Sequence, residues 1–327
     1  MKPSRFQIVV IVIVAALSAA PWWAGPANLR LLGEVLCFLS LAVLWNLLAG
    51  YAGLVSIGQQ AFVGLGGYTF FSACIFLGVS PYLAIPLAML ASALVAMVFA
   101  PLLFRLEGAH FSIGTWVAAE TVLLIFGMIP ALGGGAGMSL PISVVKAVAE
   151  GKSVREGAIY GLILILSLST LFGTFALLRS KAGLALMAIR DNGLAAASLG
   201  IDIWRTKFLT YVGVGGVSGG IGAVIFLQKL RISPASAFSL NDWTVFVIFA
   251  VVIGGIGRLE GALIGTVVYF ALRETLADYG AIYLIVLGLV AIMTMLLART
   301  GIWGTLQRRL GLQLFETTRH PTPVAEP

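Results

Sequence analysis

Glu120 is the ionisable residue whose position most needs an explanation, because it lies within the apolar run 111–129. A carboxyl group near the middle of a membrane helix is costly and usually faces the protein interior or a cavity. Glu120 could therefore contact a ligand ammonium group or act as a gate. It could instead form a structural hydrogen bond to a helix bearing Asn46, Gln59 or Gln60, and we favour this role.

Two other apolar runs contain stretches that are unsuited to a simple membrane helix. One begins VSIGQQ at residue 55, and the other ends GGIG at residue 257. Non-helical backbone at membrane depth survives only where protein buries it or where it lines a cavity. Short or glycine-interrupted segments in corresponding places of two halves indicate a translocation site. Together with Glu120, the residues predicted to form this pathway are Ser56, Gly58, Gln59, Gln60, Gly254 and Gly255.

A charged insert, residues 179–207, separates two apolar runs that are too long to be loops. Residues 183–190 can form a short amphipathic helix. Asp191 or Asn192 can cap a second short helix, and Gly200 can end it in the left-handed conformation. A short loop would have sufficed to connect two spans. The two caps and two helices therefore indicate that the insert forms a structured surface with a role of its own.

The first helix of this insert would offer Leu184, Met187 and Ile189 to a partner. The alternative is an amphipathic helix that rests on lipid headgroups. The spacing of the residues alone does not separate these two possibilities.

The composition is that of an integral membrane protein. Hydrophobic residues make up 60% of the 327 residues and charged residues only 10%, whereas soluble domains carry about 25% charged residues. The net charge of +7 does not indicate nucleic acid, because basic residues border membrane spans. Cys37 and Cys74 lie in apolar runs without ligand spacing, so no metal site is predicted.

The sequence also lacks the residue patterns of an enzyme. There is no Gly-x-x-x-x-Gly-Lys-Ser/Thr phosphate-binding motif, which argues against ATP hydrolysis by this chain. No Ser/His/Asp set or paired His and Glu stands at catalytic spacing.

We predict an all-α polytopic fold with about ten transmembrane or re-entrant helices, each requiring about 20 apolar residues to cross a bilayer. The transmembrane domain would cover residues 1–298, with a polar, disordered cytosolic tail at 299–327. Residues 1–20 could be a cleaved signal, but we favour an uncleaved first span. The predicted spans are 6–23, 31–48, 54–77, 82–104, 111–129, 158–178, 208–228, 243–256, 262–276 and 282–297.

The distribution of basic residues predicts the orientation. With the N-terminus inside, 13 of the 20 Lys and Arg residues fall on the inner side, as the positive-inside rule requires. Both termini and the insert 179–207 would then be cytosolic.

Several motifs resemble those of the permease subunits of branched-chain amino acid ATP-binding-cassette importers. Residues 186–201, LMAIRDNGLAAASLGI, resemble the coupling loop of that family, and residues 51–68, YAGLVSIGQQAFVGLGGY, its early membrane motif. Residues 108–120, 132–137 and 252–265 are similar to three further family segments. The chain departs from the family at Gln59, where His is frequent, and at Leu132, where Thr is usual. The longest outer loop, residues 130–156, is typical of the M-type subunit.

The resemblance implies a division of labour among several proteins. This chain would form the pathway across a bacterial inner membrane for branched-chain amino acids or related small polar solutes. It would pair with an H-type sister permease, two cytosolic ATP-binding subunits and a periplasmic substrate-binding protein. No cofactor is implied for this chain, because ATP is bound by the partners.

In this family the coupling helix sits in a groove of an ATP-binding subunit. The corresponding contact residues of this chain would be Ala188, Arg190, Asp191, Ala195, Ala196 and Gly200. On this basis we expect Ala196→Arg to abolish uptake while membrane insertion is retained.

An ion-coupled secondary transporter is the alternative reading. Such transporters usually place several acids, or a Lys and Asp pair, at mid-membrane, whereas Glu120 is nearly alone here. A membrane-embedded enzyme is third, and the missing catalytic cluster argues against it.

Overall fold

The computed structural model describes residues 5–276, 280, 282–297 and 300–310, and most of these residues lie in α-helices. A helix satisfies its backbone hydrogen bonds internally, which is what an apolar environment demands. The all-α prediction is confirmed. In chain order the α-helices are α1 (Arg5–Ser18), α2 (Ala20–Trp23), α3 (Pro26–Asn46), α4 (Gln59–Phe76), α5 (Pro81–Leu103), α6 (Ala109–Met128), α7 (Ile142–Val148), α8 (Lys152–Leu178), α9 (Lys181–Asp191), α10 (Gly193–Ser198), α11 (Ile203–Lys229), α12 (Pro234–Ala237), α13 (Phe246–Gly254), α14 (Leu259–Leu276), α15 (Ile282–Leu297) and α16 (Gly301–Leu310).

Shorter elements extend or connect these helices. A π-helix at Leu47–Tyr51 continues α3, and a second one at Asn241–Val245 leads into α13. Two 3₁₀ turns, Pro130–Leu132 and Gly134–Ala136, begin the loop after α6.

Six helical segments of the described chain are long and apolar enough to cross a membrane. The bent pair α15 and α16 could add a seventh. The other predicted spans also coincide with helices, but these are shorter or less apolar. The six segments are Pro26–Tyr51, Pro81–Leu103, Ala109–Met128, Lys152–Leu178, Ile203–Lys229 and Pro234–Gly254.

These segments divide into central and peripheral helices. In their most apolar stretches, 72% of the residues are buried in the segment containing α3 and in α11, against 28% in α5 and 22% in α6. Exposed apolar surface on α5 and α6 is expected where lipid or another membrane subunit covers a helix. The chain therefore packs around α3 and α11.

Small residues let the central helices approach each other closely. A Cβ placed on Gly66 of α4 would overlap the carbonyl group of Gly219 on α11, and a Cβ on Gly265 of α14 would overlap the carbonyl of Ala250 on α13. Close backbone approach of this kind holds membrane helices together where the hydrophobic effect gives no help.

A short β ladder joins two connecting loops at one end of the bundle. The strands Met138–Ser139 and Arg231–Ile232 are antiparallel, with Met138 opposite Ile232. The ladder fixes the loop after α6 to the end of α11. Helix α7 follows the first strand of the ladder.

The C-terminal region differs from its sequence prediction. We expected disorder from residue 299, but residues 301–310 form α16, and Trp303 within it is 3% exposed. A Cβ placed on Gly301 would overlap Gly255, so α16 packs against the glycine-rich turn after α13. Residues 311–327, the rest of the predicted tail, lie outside the described residues.

Candidate coupling and translocation site

Residues 181–198 fold into the two short helices that the sequence predicts, and we call residues 181–200, which include the two residues after these helices, the coupling segment. It comprises α9 and α10. Asn192, one of the two candidate caps, starts α10: its Oδ1 accepts a hydrogen bond from the amide of Ala195 at 3.1 Å. Gly200 adopts φ +81° after α10, a left-handed conformation that glycine tolerates without strain.

One side of the coupling segment is anchored to the rest of the chain. Leu186 is fully buried, Ile189 is 5% exposed and Ala196 is 2% exposed. Gly183 lies so close to the end of α8 that a Cβ would overlap the carbonyl of Leu178. The segment is therefore packed as part of the folded chain and does not hang from it as a loop.

This anchoring corrects two sequence predictions. Ile189 was expected to face a partner and Ala196 to be a contact residue, but both are buried within this chain. The α-helical pattern identified an apolar face but not which protein covers it. An arginine at position 196 would disrupt the segment itself, so that substitution cannot test docking alone.

The opposite side of the coupling segment is open. Leu194 is 87% exposed, Leu199 follows at 79% and Leu184 at 50%. Asp191, Ala195 and Gly200 are also exposed, and Ala188 is half-buried. Three leucines on the surface of one short segment form an apolar patch, and such patches often mark interaction sites.

Arg190 lies between the two sides and ties the coupling segment to the membrane helices. Its Nη1 donates a hydrogen bond to the carbonyl oxygen of Gly50 at 2.7 Å, and its Nε donates to Asp191 Oδ1 at 2.9 Å. Gly50 belongs to the π-helix that ends α3. A charged donor on a backbone carbonyl makes a stronger bond than a neutral pair, so Arg190 connects two elements that are 140 residues apart.

The first helix interruption begins where this π-helix ends. Residues 52–58 have no helical structure, and Gly53 adopts φ +69°. The predicted break in the run 54–77 is thus confirmed, and α4 begins only at Gln59. Ser56 is buried: its Oγ accepts from the amide of Gly58 at 3.2 Å, and its carbonyl accepts from Trp45 Nε1 at 2.8 Å.

The second interruption is the glycine-rich turn between α13 and α14. Gly255 and Gly257 adopt φ +126° and +76°. At these φ values the backbone of a residue with a side chain would be strained. A Cβ on Gly254 would overlap the carbonyl of Gly261 in α14. The short span 243–256 therefore ends in a turn that only glycines can form so tightly.

The end of α3 and its π-helix, directly before the first interruption, contact the second interruption, and no local sequence pattern predicted this contact. The side chain of Asn46 donates to the carbonyl of Arg258 and accepts from the amide of Gly257, both at 2.8 Å. A Cβ on Gly50 would lie 2.5 Å from the Gly257 amide nitrogen. Through the Gly50 carbonyl, Arg190 thus joins the coupling segment to both interruptions.

The predicted pathway residues near the first interruption are packed inside this chain. A Cβ on Gly58 would overlap the carbonyl of Thr115. Gln59 Nε2 donates to the carbonyl of Leu41 at 3.1 Å, and Gln60 Oε1 accepts from Thr244 Oγ1 at 2.5 Å. In the described part of the chain, Gln59 Oε1 and Gln60 Nε2 are buried without a hydrogen-bond partner.

Glu120 does not bond to any of the three neighbours considered from the sequence. Its Oε1 accepts a hydrogen bond at 3.1 Å from Nε1 of Trp116, one turn earlier on the same helix. Trp116 is 43% exposed, and Glu120 is half-buried on a helix with little buried surface. The expected interhelical bond within this chain is thus wrong: Asn46, Gln59 and Gln60 are engaged elsewhere.

Several known proteins that resemble this chain over most of its length are permeases of branched-chain amino acid transport. The LivM permease of a high-affinity branched-chain amino acid transport system from Salmonella typhimurium is 24% identical over 96% of this chain and 78% of its own length. The Escherichia coli LivM is 23% identical over the same shares. A probable LivH permease of Methanocaldococcus jannaschii is 27% identical over 78% of this chain and 84% of its own. No solved structure matches.

The match to a family profile covers most of the chain. Residues 28–299 match the family described as "Branched-chain amino acid transport system / permease component". The matches to the two LivM proteins extend over more of the chain than the match to LivH, in agreement with the M-type resemblance. This chain belongs to the branched-chain amino acid transport permease family.

Proposed function

We propose that this chain is a transmembrane subunit of an ATP-driven importer for branched-chain amino acids or related small polar solutes in the bacterial inner membrane. The observation that carries the proposal is the connection from the coupling segment through Arg190 to both helix interruptions. Family membership supports the cargo class.

In this proposal the coupling segment receives force from a cytosolic ATP-binding subunit. The exposed leucines at positions 184, 194 and 199 would enter a groove of that subunit. The buried side, which includes Leu186 and Ala196, packs against α8 and α11 and would make the segment move together with them. A rigid segment can transmit displacement, whereas a flexible loop would absorb it.

Arg190 would carry this displacement into the membrane domain. Movement of α9 pulls or pushes the Gly50 carbonyl, and Gly50 lies against Gly257. Interruptions are places where helices can change angle without breaking a continuous hydrogen-bond ladder. The two interruptions would therefore act as joints, which is a different role from lining the cargo route.

The cargo route itself would run between this chain and a sister permease. Other parts of this chain pack against Ser56, Gly58 and Gly254 and leave no open space beside them. Glu120 and Trp116, in contrast, lie on the open face of α6. A carboxyl group in a span should face protein or water and not lipid. A second permease on this face would provide that environment and line the route with Glu120.

The remaining parts of the proposal concern partners and orientation. Two ATP-binding subunits would dock on the cytosolic side, and ATP hydrolysis would take place on them. A periplasmic binding protein would deliver cargo at the opposite end, near the β ladder. The charge distribution of the sequence supports cytosolic termini and a cytosolic coupling segment, the side on which the ATP-binding subunits would dock.

Uptake by the reconstituted complex tests the proposal. We expect proteoliposomes containing the permease pair and the ATP-binding subunits to accumulate labelled leucine only with ATP inside the compartment that holds those subunits and binding protein on the other side. A protonophore should leave uptake unchanged. Uptake without ATP that collapses with the protonophore would instead establish ion-coupled transport.

A further inference from the structure

A cavity of about 670 Å³ opens at the end of the bundle opposite the coupling segment. Helices α3, α11 and α14 and the stretch from the second π-helix into α13 form its walls. Its volume lies within the range of ligand pockets, about 300–1,000 Å³. The predicted orientation places this cavity on the outer side of the membrane, where cargo arrives.

The charged side chains of this cavity fall into two groups. Arg273 donates two hydrogen bonds to Glu34, at 2.8 and 3.1 Å, and Arg30 pairs with Glu156 at 2.5 Å. These charges neutralise each other within the protein. They connect α3 to α14 and to α8 beside the cavity.

Lys229 and Asp242 form the second group. Within the described residues, neither side chain has an ion-pair partner of opposite charge within 4 Å, although both line the cavity and are exposed. The ammonium group of Lys229 lies 4.8 Å from the ring centroid of Trp243, the residue that follows Asp242 in the chain. One positive and one negative charge thus lie near the same wall without neutralising each other.

Aromatic side chains form the deeper part of the cavity. Phe38 and Tyr269 stack with ring centroids 4.7 Å apart, and Phe246 lies 5.6 Å from Tyr269. Ligand sites commonly combine such apolar surface with a few placed polar groups. An apolar side chain of a ligand could bury itself here while its charged end stays at the mouth.

We propose that this cavity binds a small zwitterion with an apolar side chain, an α-amino acid, before it enters the route between the permeases. Lys229 would bind the carboxylate, Asp242 the ammonium group, and the aromatic wall the side chain. A ligand that carries both charges can satisfy both residues at once, which a cation or an anion cannot. The inference rests on the proposed transport function and assigns it an entry site.

Saturation-transfer difference NMR on the full chain in lipid nanodiscs, without binding protein, tests this site, because the method detects weak binding. The probes are L-leucine, L-leucinamide, which lacks the carboxylate, and 4-methylpentanoate, which lacks the ammonium group. We expect L-leucine to bind at least about tenfold more tightly than either analogue, a difference of about 1.4 kcal/mol, since each analogue lacks one of the two charges that the cavity would bind.

Two single substitutions in the cavity sharpen the test. Lys229→Met and Asp242→Asn should each weaken L-leucine binding by about tenfold or more. Neither residue forms an ion pair in the described chain, so the fold should be retained. The matched control is Lys146→Met, which removes an exposed lysine of α7 outside the cavity and should leave binding unchanged.

The outcomes separate this inference from the proposed function. Absence of L-leucine binding, or equal binding by wild type and both cavity variants, would overturn the entry site even if uptake depends on ATP and binding protein. Uptake that needs neither would overturn the proposed function, while the probe series would still decide whether the cavity recognises a zwitterion.

Discussion

The two sides of the coupling segment differ in what covers them. On one side Leu186, Ile189 and Ala196 are buried by this chain, and on the other Leu194 and Leu199 are among its most exposed leucines. Both sides are apolar, so hydrophobicity does not distinguish them. The difference shows that one side of this short segment is attached to the helices of its own chain, while the other side is left uncovered by this chain.

The comparison also assigns different consequences to neighbouring residues. A change on the buried side should alter the folded chain, and a change on the open side should alter only association. Arg190 lies between them, since it bonds inward to Gly50 and outward to the exposed Asp191. Substitutions at these three places should therefore separate folding, docking and force transmission.

Ala196→Arg against Ala195→Arg should give the largest contrast. Ala196 is 2% exposed, and burying an unpaired arginine there should destabilise the segment by about 3 kcal/mol or more. Ala195 is exposed, so the same change should be tolerated by the fold. Hydrogen exchange of residues 181–198 in the detergent-purified chain measures this, and equal protection in both variants would break the distinction between the two sides.

Leu194→Glu combined with Leu199→Glu should abolish docking without unfolding the chain. Both side chains are largely exposed, so thermal unfolding should be unchanged. Co-purification of the ATP-binding subunits should fall by at least about tenfold, or about 1.4 kcal/mol. Ile142→Glu, an equally exposed apolar position on α7, is the control. Retention of the ATP-binding subunits by the double variant would show that the open side is not the docking surface.

Arg190→Gln should uncouple hydrolysis from transport. The substitution removes the charged bond to the Gly50 carbonyl, and such bonds contribute about 1.5–3 kcal/mol, less where solvent reaches the pair. We expect the ATP-binding subunits to remain attached and to hydrolyse ATP while leucine uptake falls several-fold. If uptake per ATP hydrolysed matches wild type, force does not pass through this residue.

Asn192→Ala should have the smallest effect. It removes the cap of α10, in which Asn192 accepts a bond from Ala195, and loss of a cap costs about 1 kcal/mol. Exchange of the Ala195 amide should accelerate, with global unfolding nearly unchanged. Asn192→Ser keeps a capping oxygen and should retain protection; acceleration in that variant as well would show that the cap does not order α10.

Local sequence patterns predicted where the helices of this protein lie, but they did not predict which distant residues the side chains of those helices contact. The apolar runs predicted the membrane spans, and the polar stretch near Ser56 predicted the first helix interruption. The coupling segment was found because caps and helix ends depend on residues that are near in sequence. The predicted partners of Glu120 and the predicted partner contact of Ala196 were wrong, since the surroundings of each residue depend on residues far away in the chain.

By itself, the sequence determined that this chain is helical, spans the membrane and carries a charged two-helix insert between spans. Composition, the spacing of apolar residues and helix capping are local properties of the sequence. In the apolar membrane, a helix satisfies the hydrogen bonds of its backbone internally. The tertiary structure decided that Asn46, near the end of the helix before the first interruption, bonds to the second interruption more than 200 residues away, and that Arg190 bonds to Gly50 in the π-helix between them. Such contacts arise from helix packing, and no single stretch of the sequence encodes the neighbour that another stretch will meet.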